Sequence, residues 1–324
     1  MNSKIKPKSS TNKRVIADIG GTNARFALLN SSRFIQNEKV LPVDNYPDFA
    51  SAYQHYLELV NNPKVTEAAI AIANPIDGDR IKMTNHDWDF SIEETRKILS
   101  LDSLIFKNDF EALALSIPHL EREECHQIGS GKIKENAPIG ILGPGTGLGV
   151  AGLVFTGEKW IALPGEGGHI SLSPTSKREC QILETCWKEF EHVSAERLIS
   201  GSGLQRLYRV ICELDQVDAK TDLKPRDISQ HAINQTDKQC SEALDVFCAL
   251  LGVVAGNLAL TLGAKGGIYI GGGIIPKLES YFENSSFRER FESKGRFKDY
   301  LKDIPVFVIK SEHPALVGIS QAFD

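Results

Sequence analysis

The chain has no cysteine pattern, no excess of positive charge and no long apolar run, and each absence removes a class of function. Its six cysteines, at 125, 180, 186, 212, 240 and 248, form no C-x-x-C pair and follow no regular spacing. That excludes a disulfide framework and the common zinc modules, and leaves reduced thiols, mostly small buried hydrophobes, in a cytoplasmic protein. With 37 basic against 42 acidic residues, a net charge of -5, there is no electrostatic footprint for nucleic acid. No apolar run is expected to reach the roughly 18 residues of a membrane span. The start of the chain, MNSKIKPKSSTNK, lacks the apolar core of a signal peptide and reads as a mobile tail over 1–13. No low-complexity segment occurs.

What is present is enough for about two domains: 324 residues with 41% hydrophobic content. The most informative feature occurs twice. A strand breaks into a glycine-threonine turn and resumes as a second strand, first in RVIADIGGTNARFALL and again in IGILGPGTGLGVAGLVF. Successive amides in such a turn make an anion-binding concavity, and glycine lets the backbone come close. Two turns, around Thr22 and Thr146, predict one polyphosphate held from two sides, and so a nucleotide bound by two related domains.

Neither turn is one of the commoner phosphate loops. Neither fits G-x-x-x-x-G-K-[ST], and GLGVAG, Gly147 to Gly152, matches G-x-G-x-x-G at the start of a return strand where the dinucleotide fingerprint requires a helix. GSGKIK, from Gly129 to Lys134, has Ile133 in place of the hydroxyl residue, and no strand is expected before it.

Patterning along the first 120 residues predicts strands at RVIADI, RFALL, AAIAIAN, IKMTN and SLIFKN, and helices at FASAYQHYLELV, IEETRKILS and FEALALSIPHL. A polar stretch from Glu121 to Pro138 reads as the crossing between domains. The second half predicts long helical segments around Cys180 to Glu191, Ala195 to Leu214 and Ser241 to Leu262, then the strand GGIYIGGG. A last strand near PVFVI and a short helix at Ala315 to Phe323 are expected to return to the first domain. Domain limits follow: 14–119 joined by the helix 313–324, and 120–312.

Three further sites carry candidate chemistry. Gly271, Gly272 and Gly273 end a strand and lead to Pro276, an arrangement suited either to tight helix-sheet packing or to an adenosine wall. Asp109, between the strand SLIFKN and the helix FEALAL, is either a helix N-cap or a base for an attacking hydroxyl. Glu166 and His169 flank a double glycine in GEGGHISLSP, and Glu196 opens a helix in HVSAERL with Ser194 as its expected cap. Paired carboxylates with an imidazole accept from and donate to hydroxyls, as a polyol requires. A structural zinc site would want His and Cys ligands, and Cys180 and Cys186 lack ligand spacing.

The runs ADIGGTNARFAL, MTNHDW, KNDF, GPGTGLGV, LPGEGGHI, HVSAERL, GGIYIGGGIIPK and KGRFKDYL together resemble bacterial-type glucokinase, in the hexokinase branch of the actin-like ATPase superfamily. The resemblance extends from Val15 over nearly the whole chain. It implies an α/β fold of two actin-like, ribonuclease H-like domains, with mixed sheets flanked by helices and a ligand cleft between them. It also implies ATP as co-substrate with Mg²⁺, no zinc, and transfer of the γ-phosphoryl to the 6-hydroxyl of glucose, with a homodimer expected. By matching motifs, Ala17, Asp18, Ile19, Gly20, Gly21 and Thr22, with Gly145, Thr146 and Gly147, would face phosphates, and Gly272 and Gly273 the adenosine. Asn108, Asp109, Glu166, His169 and Glu196 would hold the sugar, with Asp109 as the base. The cysteine-rich zinc motif of related kinases and repressors is unmatched, because HISLSPTSKREC lacks its cysteines. Three other readings stay open: a kinase of a related hexose, a sugar-binding regulator without catalysis, and an actin-like scaffold ATPase. The last gives no reason for the Glu166, His169 and Glu196 set.

Overall fold

Each strand-turn-strand segment opens a sheet of its own. In the computed structural model, which describes residues 13–84 and 86–323, the chain divides into two compact units. One runs to His119 and resumes at His313; the other is Leu120–Glu312. Of the expected tail, residues 1–12 lie outside the described residues, and Lys13 is already the first residue of a strand.

The first unit contains, in order, β1 (Lys13–Ile19), β2 (Asn23–Leu29), β3 (Ile35–Pro42), α1 (Phe49–Leu59), β4 (Val65–Ile72), β5 (Arg80–Lys82), β6 (Asp89–Ser91), α2 (Ile92–Ile98), β7 (Ser103–Asn108) and α3 (Asp109–Ser116). Its main sheet has the order β3-β2-β1-β4-β7, an antiparallel meander extended by two strands parallel to β1. Because side chains alternate along a strand, Val15, Ala17 and Ile19 face α1 and the aromatic cluster of Phe26, Phe49, Tyr53, Tyr56 and Trp88. Ile16 faces the other way, toward Ala112, Leu316 and Ile319. The helix α1 begins at Asp48, whose carboxylate accepts from Ser51 N at 2.7 Å. After the second unit the chain returns as α12 (Pro314–Ile319), which packs on α3 so closely that a Cβ at Gly318 would lie 1.7 Å from the Ala112 carbonyl oxygen. Both atoms belong to backbone in packed helices and neither can swing away. Gly318→Ala is therefore expected to destabilise the first unit by about 3 kcal/mol, the upper range for overpacking, measured as a lower urea midpoint.

The second unit contains β8 (Cys125–Ile128), β9 (Ile139–Pro144), β10 (Leu148–Phe155), β11 (Trp160–Gly165), α4 (Lys177–Trp187), α5 (Ala195–Leu198), α6 (Gly201–Asp215), α7 (Pro225–Ile233), α8 (Lys238–Leu262), β12 (Gly267–Ile270), α9 (Glu279–Glu283), α10 (Phe287–Glu292), α11 (Lys298–Lys302) and β13 (Val306–Ile309). Its sheet, β11-β10-β9-β12-β13-β8, repeats the meander and parallel pair of the first and adds an edge strand.

Four readings of the sequence change. The stretch 121–138 is more than a crossing, since Cys125–Ile128 pairs with β13, and a strand therefore does precede GSGKIK, where none was expected. Each meander has a third strand that the patterning did not show: β3 has an exposed, polar middle at the sheet edge, and β11 ends in Pro164 and Gly165. The segment Ala195 to Leu214 is two helices, because Ser200 is extended and its hydroxyl accepts from Gly203 N at 3.1 Å, capping α6. Finally, α8 does contain an 18-residue window of mean hydropathy 2.0, long and apolar enough to cross a membrane by composition; 72% of that window is buried in the unit. A helix surrounded by other elements is apolar on every side.

Candidate active site

In the first unit, the turn after β1 closes with Gly20 N donating to Asn23 O at 2.9 Å, and Thr22 O accepts from Val43 N at 2.9 Å. Asp18 pairs across the ladder with Arg25. Burial pushes the Asp18 carboxyl above its usual range, opposed by the charges of Arg25 and His313. Both of those side chains also approach Glu38, at 2.9 Å from Arg25 and 3.4 Å from His313.

At the end of β7 the capping role open to Asp109 falls to its neighbour. The N-cap of α3 is Asn108: its Oδ1 accepts from Phe110 N at 2.9 Å and from Glu111 N at 3.4 Å. Asp109 is the first helical residue, and its carboxylate accepts from Phe110 N at 3.0 Å. Burial, and then the negative charge of Asp18, push the Asp109 pKa up to about 6, against the backbone amides and Asn108, which pull it down. The strand mouth thus carries a half-buried carboxylate poised near neutrality, as a general base requires.

Asn74, which is 7% exposed, carried no expected role. Its Oδ1 accepts from the backbone N and the hydroxyl of Thr84, both at 3.1 Å, and its carbonyl accepts from Asn108 Nδ2 at 3.4 Å. It therefore ties the MTNHDW segment to the end of β4, beside Asn108. A polar residue closing the apolar strand AAIAIAN, with proline following, was the available signal.

In the second unit the expected residues converge on Leu148. The turn closes with Gly145 N donating to Gly147 O at 2.8 Å, and Gly145 O accepts from Gly201 N at 2.9 Å; Thr146 stands exposed at its tip. Glu196 Oε2 accepts from Leu148 N at 2.8 Å, so this carboxylate sits directly behind the 145–147 turn. On the carbonyl side, a Cβ at Gly168 would lie 2.1 Å from Leu148 O, and one at Gly167 2.8 Å from Val150 Cβ. The double glycine thus exists to seat the 166–169 turn on β10. That seat presents Glu166 and His169 as exposed side chains, with His169 Nε2 3.9 Å from Glu166 Oε2. Ser194 caps α5 as expected, accepting from Arg197 N at 3.3 Å.

The third glycine run adjoins the same turn. Gly271 N donates to Leu142 O at 2.9 Å, and Gly272 has φ +78° with Pro144 O 2.4 Å from where its Cβ would be. Only glycine meets both conditions. A Cβ on Gly145 or Gly273 would meet nothing within 4 Å, which leaves those two backbones open to a ligand. Among the described residues no three His, Cys, Asp or Glu side chains gather as metal ligands.

The family model named Glucokinase matches residues 15–324, a stretch that contains both glycine turns, Asp109 and the Glu166, His169 and Glu196 set. The chain belongs to the glucokinase family. It is 50% identical over 307 residues to the glucokinase of Chromobacterium violaceum, an alignment covering 95% of this chain and 88% of that one. It spans about half, 48%, of the length of bifunctional relatives from Paraburkholderia xenovorans and Burkholderia thailandensis. Among solved structures, the glucokinase of an Antarctic psychrotroph superposes with a TM-score of 0.86 at 36% identity, covering 96% of this chain and 98% of its own. The glucokinase of the ROK family from Streptomyces griseus, solved with glucose and AMPPNP, shares the fold at a TM-score of 0.63 and 19% identity, covering 96% and 99%. The two α/β units with mixed sheets are those of the two-domain, actin-like kinases to which the glucokinase family belongs.

Proposed function

We propose that Asp109 is the general base by which this glucokinase-family enzyme transfers the γ-phosphoryl group of ATP to the 6-hydroxyl of glucose. Asp109 takes the hydroxyl proton as the sugar oxygen bonds to phosphorus, and the bond from that phosphorus to the β–γ bridging oxygen breaks to release ADP. The observation that carries this is the half-buried Asp109 carboxyl, excused from capping by Asn108 and raised to about 6. Asn108, Glu166, His169 and Glu196 supply donors and acceptors for the remaining sugar hydroxyls. The backbones of Ala17 to Thr22 and Gly145 to Gly147 face the phosphates, with Gly272 and Gly273 against the adenosine. Mg²⁺ enters as part of the MgATP substrate and offsets charge on the transferring group. We further propose a cytoplasmic homodimer; six free cysteines, four of them buried, fit a reducing compartment.

ADP release with and without glucose is the deciding measurement. ATP consumption that glucose does not raise would remove the reading, and higher kcat/KM with mannose, glucosamine or fructose would reassign the sugar. The pH profile tests the base separately. Since the ionised form is the active one, kcat/KM should be level above pH ~6 and fall about tenfold per unit below it. A level profile down to pH ~4.5, with the protein still folded, would exclude a base of raised pKa.

A further inference from the structure

Past His169 the chain enters a short ladder and then α4, and α4 hands it back to the ladder's other side. Ser171 bridges Ser194, Ala195 N donates to Ile170 O at 2.9 Å, and Leu172 N to Val193 O at 3.3 Å. The ladder therefore carries His169 just before one strand and Glu196 just after the other. Both of its strands continue into the two ends of α4, so wherever α4 is fixed, those side chains are fixed too.

The N-terminal end of α4 is fixed by charge. Glu179, 5% exposed, accepts from Thr175 N at 2.6 Å and from the Thr175 hydroxyl at 3.3 Å, which binds the segment leaving the ladder to the first turn of the helix. Arg290 on α10 meets Glu179 at 2.8 Å and also donates to the Thr175 hydroxyl. The neighbouring Arg178 reaches Glu242 on α8 at 2.6 Å and Asp215 at the end of α6 at 2.7 Å. Three helices thus converge on two consecutive residues of α4.

We propose that the Thr175–Glu179–Arg290 cluster is a positioning clamp that sets the affinity for the sugar through the placement of Glu166, His169 and Glu196. This rests on the proposed function above. The clamp is joined to the sugar set through the ladder and to the second glycine turn only through the Glu196 bond to Leu148 N, so its effect falls chiefly on sugar binding.

The test separates placement from stability. Removing one partner strands a buried charge, whereas replacing both with apolar residues of similar volume is commonly tolerated. Glu179→Leu with Arg290→Met should accordingly melt near the parent temperature while leaving Thr175 N without its carboxylate acceptor. In this paired variant we expect the KM and calorimetric Kd for glucose to rise by about tenfold or more, with kcat and the KM for ATP changed less than about threefold. Arg290→Lys, which keeps the charge but loses the forked reach to Thr175, should show a smaller rise in the same direction, and it is the deciding variant should the pair fail to fold. A folded paired variant, or in its absence Arg290→Lys, with parental affinity for glucose overturns the clamp. Loss of glucose-dependent turnover in the parent itself would overturn the kinase reading together with the clamp, so the two failures are distinguishable.

Discussion

Asp109→Asn is expected to lower kcat by about 10² to 10⁴, the range for losing a positioned general base, while glucose still binds. The amide keeps the size of the carboxylate, and the cap of α3 is untouched because Asn108 provides it. Stability should move in the opposite direction. The folded state holds the Asp109 proton up to about 6, above the ~3.9 of an unfolded aspartate. Its contribution is complete below pH ~4 and is lost as pH rises through ~6, because ionisation then works against burial and against Asp18. At pH 7 the variant should therefore melt higher than the parent, and that advantage should vanish below pH ~4. A variant with most of its turnover would make Asp109 a structural residue. A variant that melts lower at pH 7 would contradict the origin given for its raised pKa.

Gly168→Ala should be nearly as damaging, by a different route. The new methyl would lie 2.1 Å from the Leu148 carbonyl oxygen, and that carbonyl cannot retreat, since β10 is locked in register to both β9 and β11. The 166–169 turn must lift instead, carrying Glu166 and His169 with it. A displacement of about 1 Å at a binding group costs on the order of 10² in rate, so kcat/KM for glucose should fall by about that factor, chiefly through KM. Parental kinetics in a folded Gly168→Ala protein would show that Glu166 and His169 do not hold the sugar. The same substitution at Gly147 meets only the end of the flexible Glu196 side chain, 2.4 Å away, and should be milder.

Both arguments use features that the sequence displays unevenly. The paired turns, the strand leading to Asn108 and Asp109, and the GEGGHI segment are local patterns, and local patterns are read from neighbouring residues. The caps at Asp48 and Ser194 belong to the same class, since each depends on a side chain and an amide three residues on. The third strands were hidden for a local reason too, because an exposed sheet edge need not alternate apolar with polar.

Long-range contacts are another matter. Asn74 with Thr84 and Asn108, Glu196 with Leu148, and Glu179 with Arg290 join residues that no spacing rule connects. The choice of Asn108 over Asp109 as the cap turned on the path by which β7 enters α3, which two adjacent polar residues do not reveal.

By itself the sequence determined where the backbone is free to turn, which side chains could do proton chemistry, and the order of elements that makes two related α/β units. These follow from dihedral preference, hydrophobic period and side-chain chemistry, all properties of short segments. Tertiary structure alone decided the surroundings of those groups. The Asp109 pKa comes from burial and from a carboxylate on another strand, and Glu196 is placed by an amide on β10. Desolvation and Coulomb interaction depend on distance in space, which the order of residues along the chain does not specify.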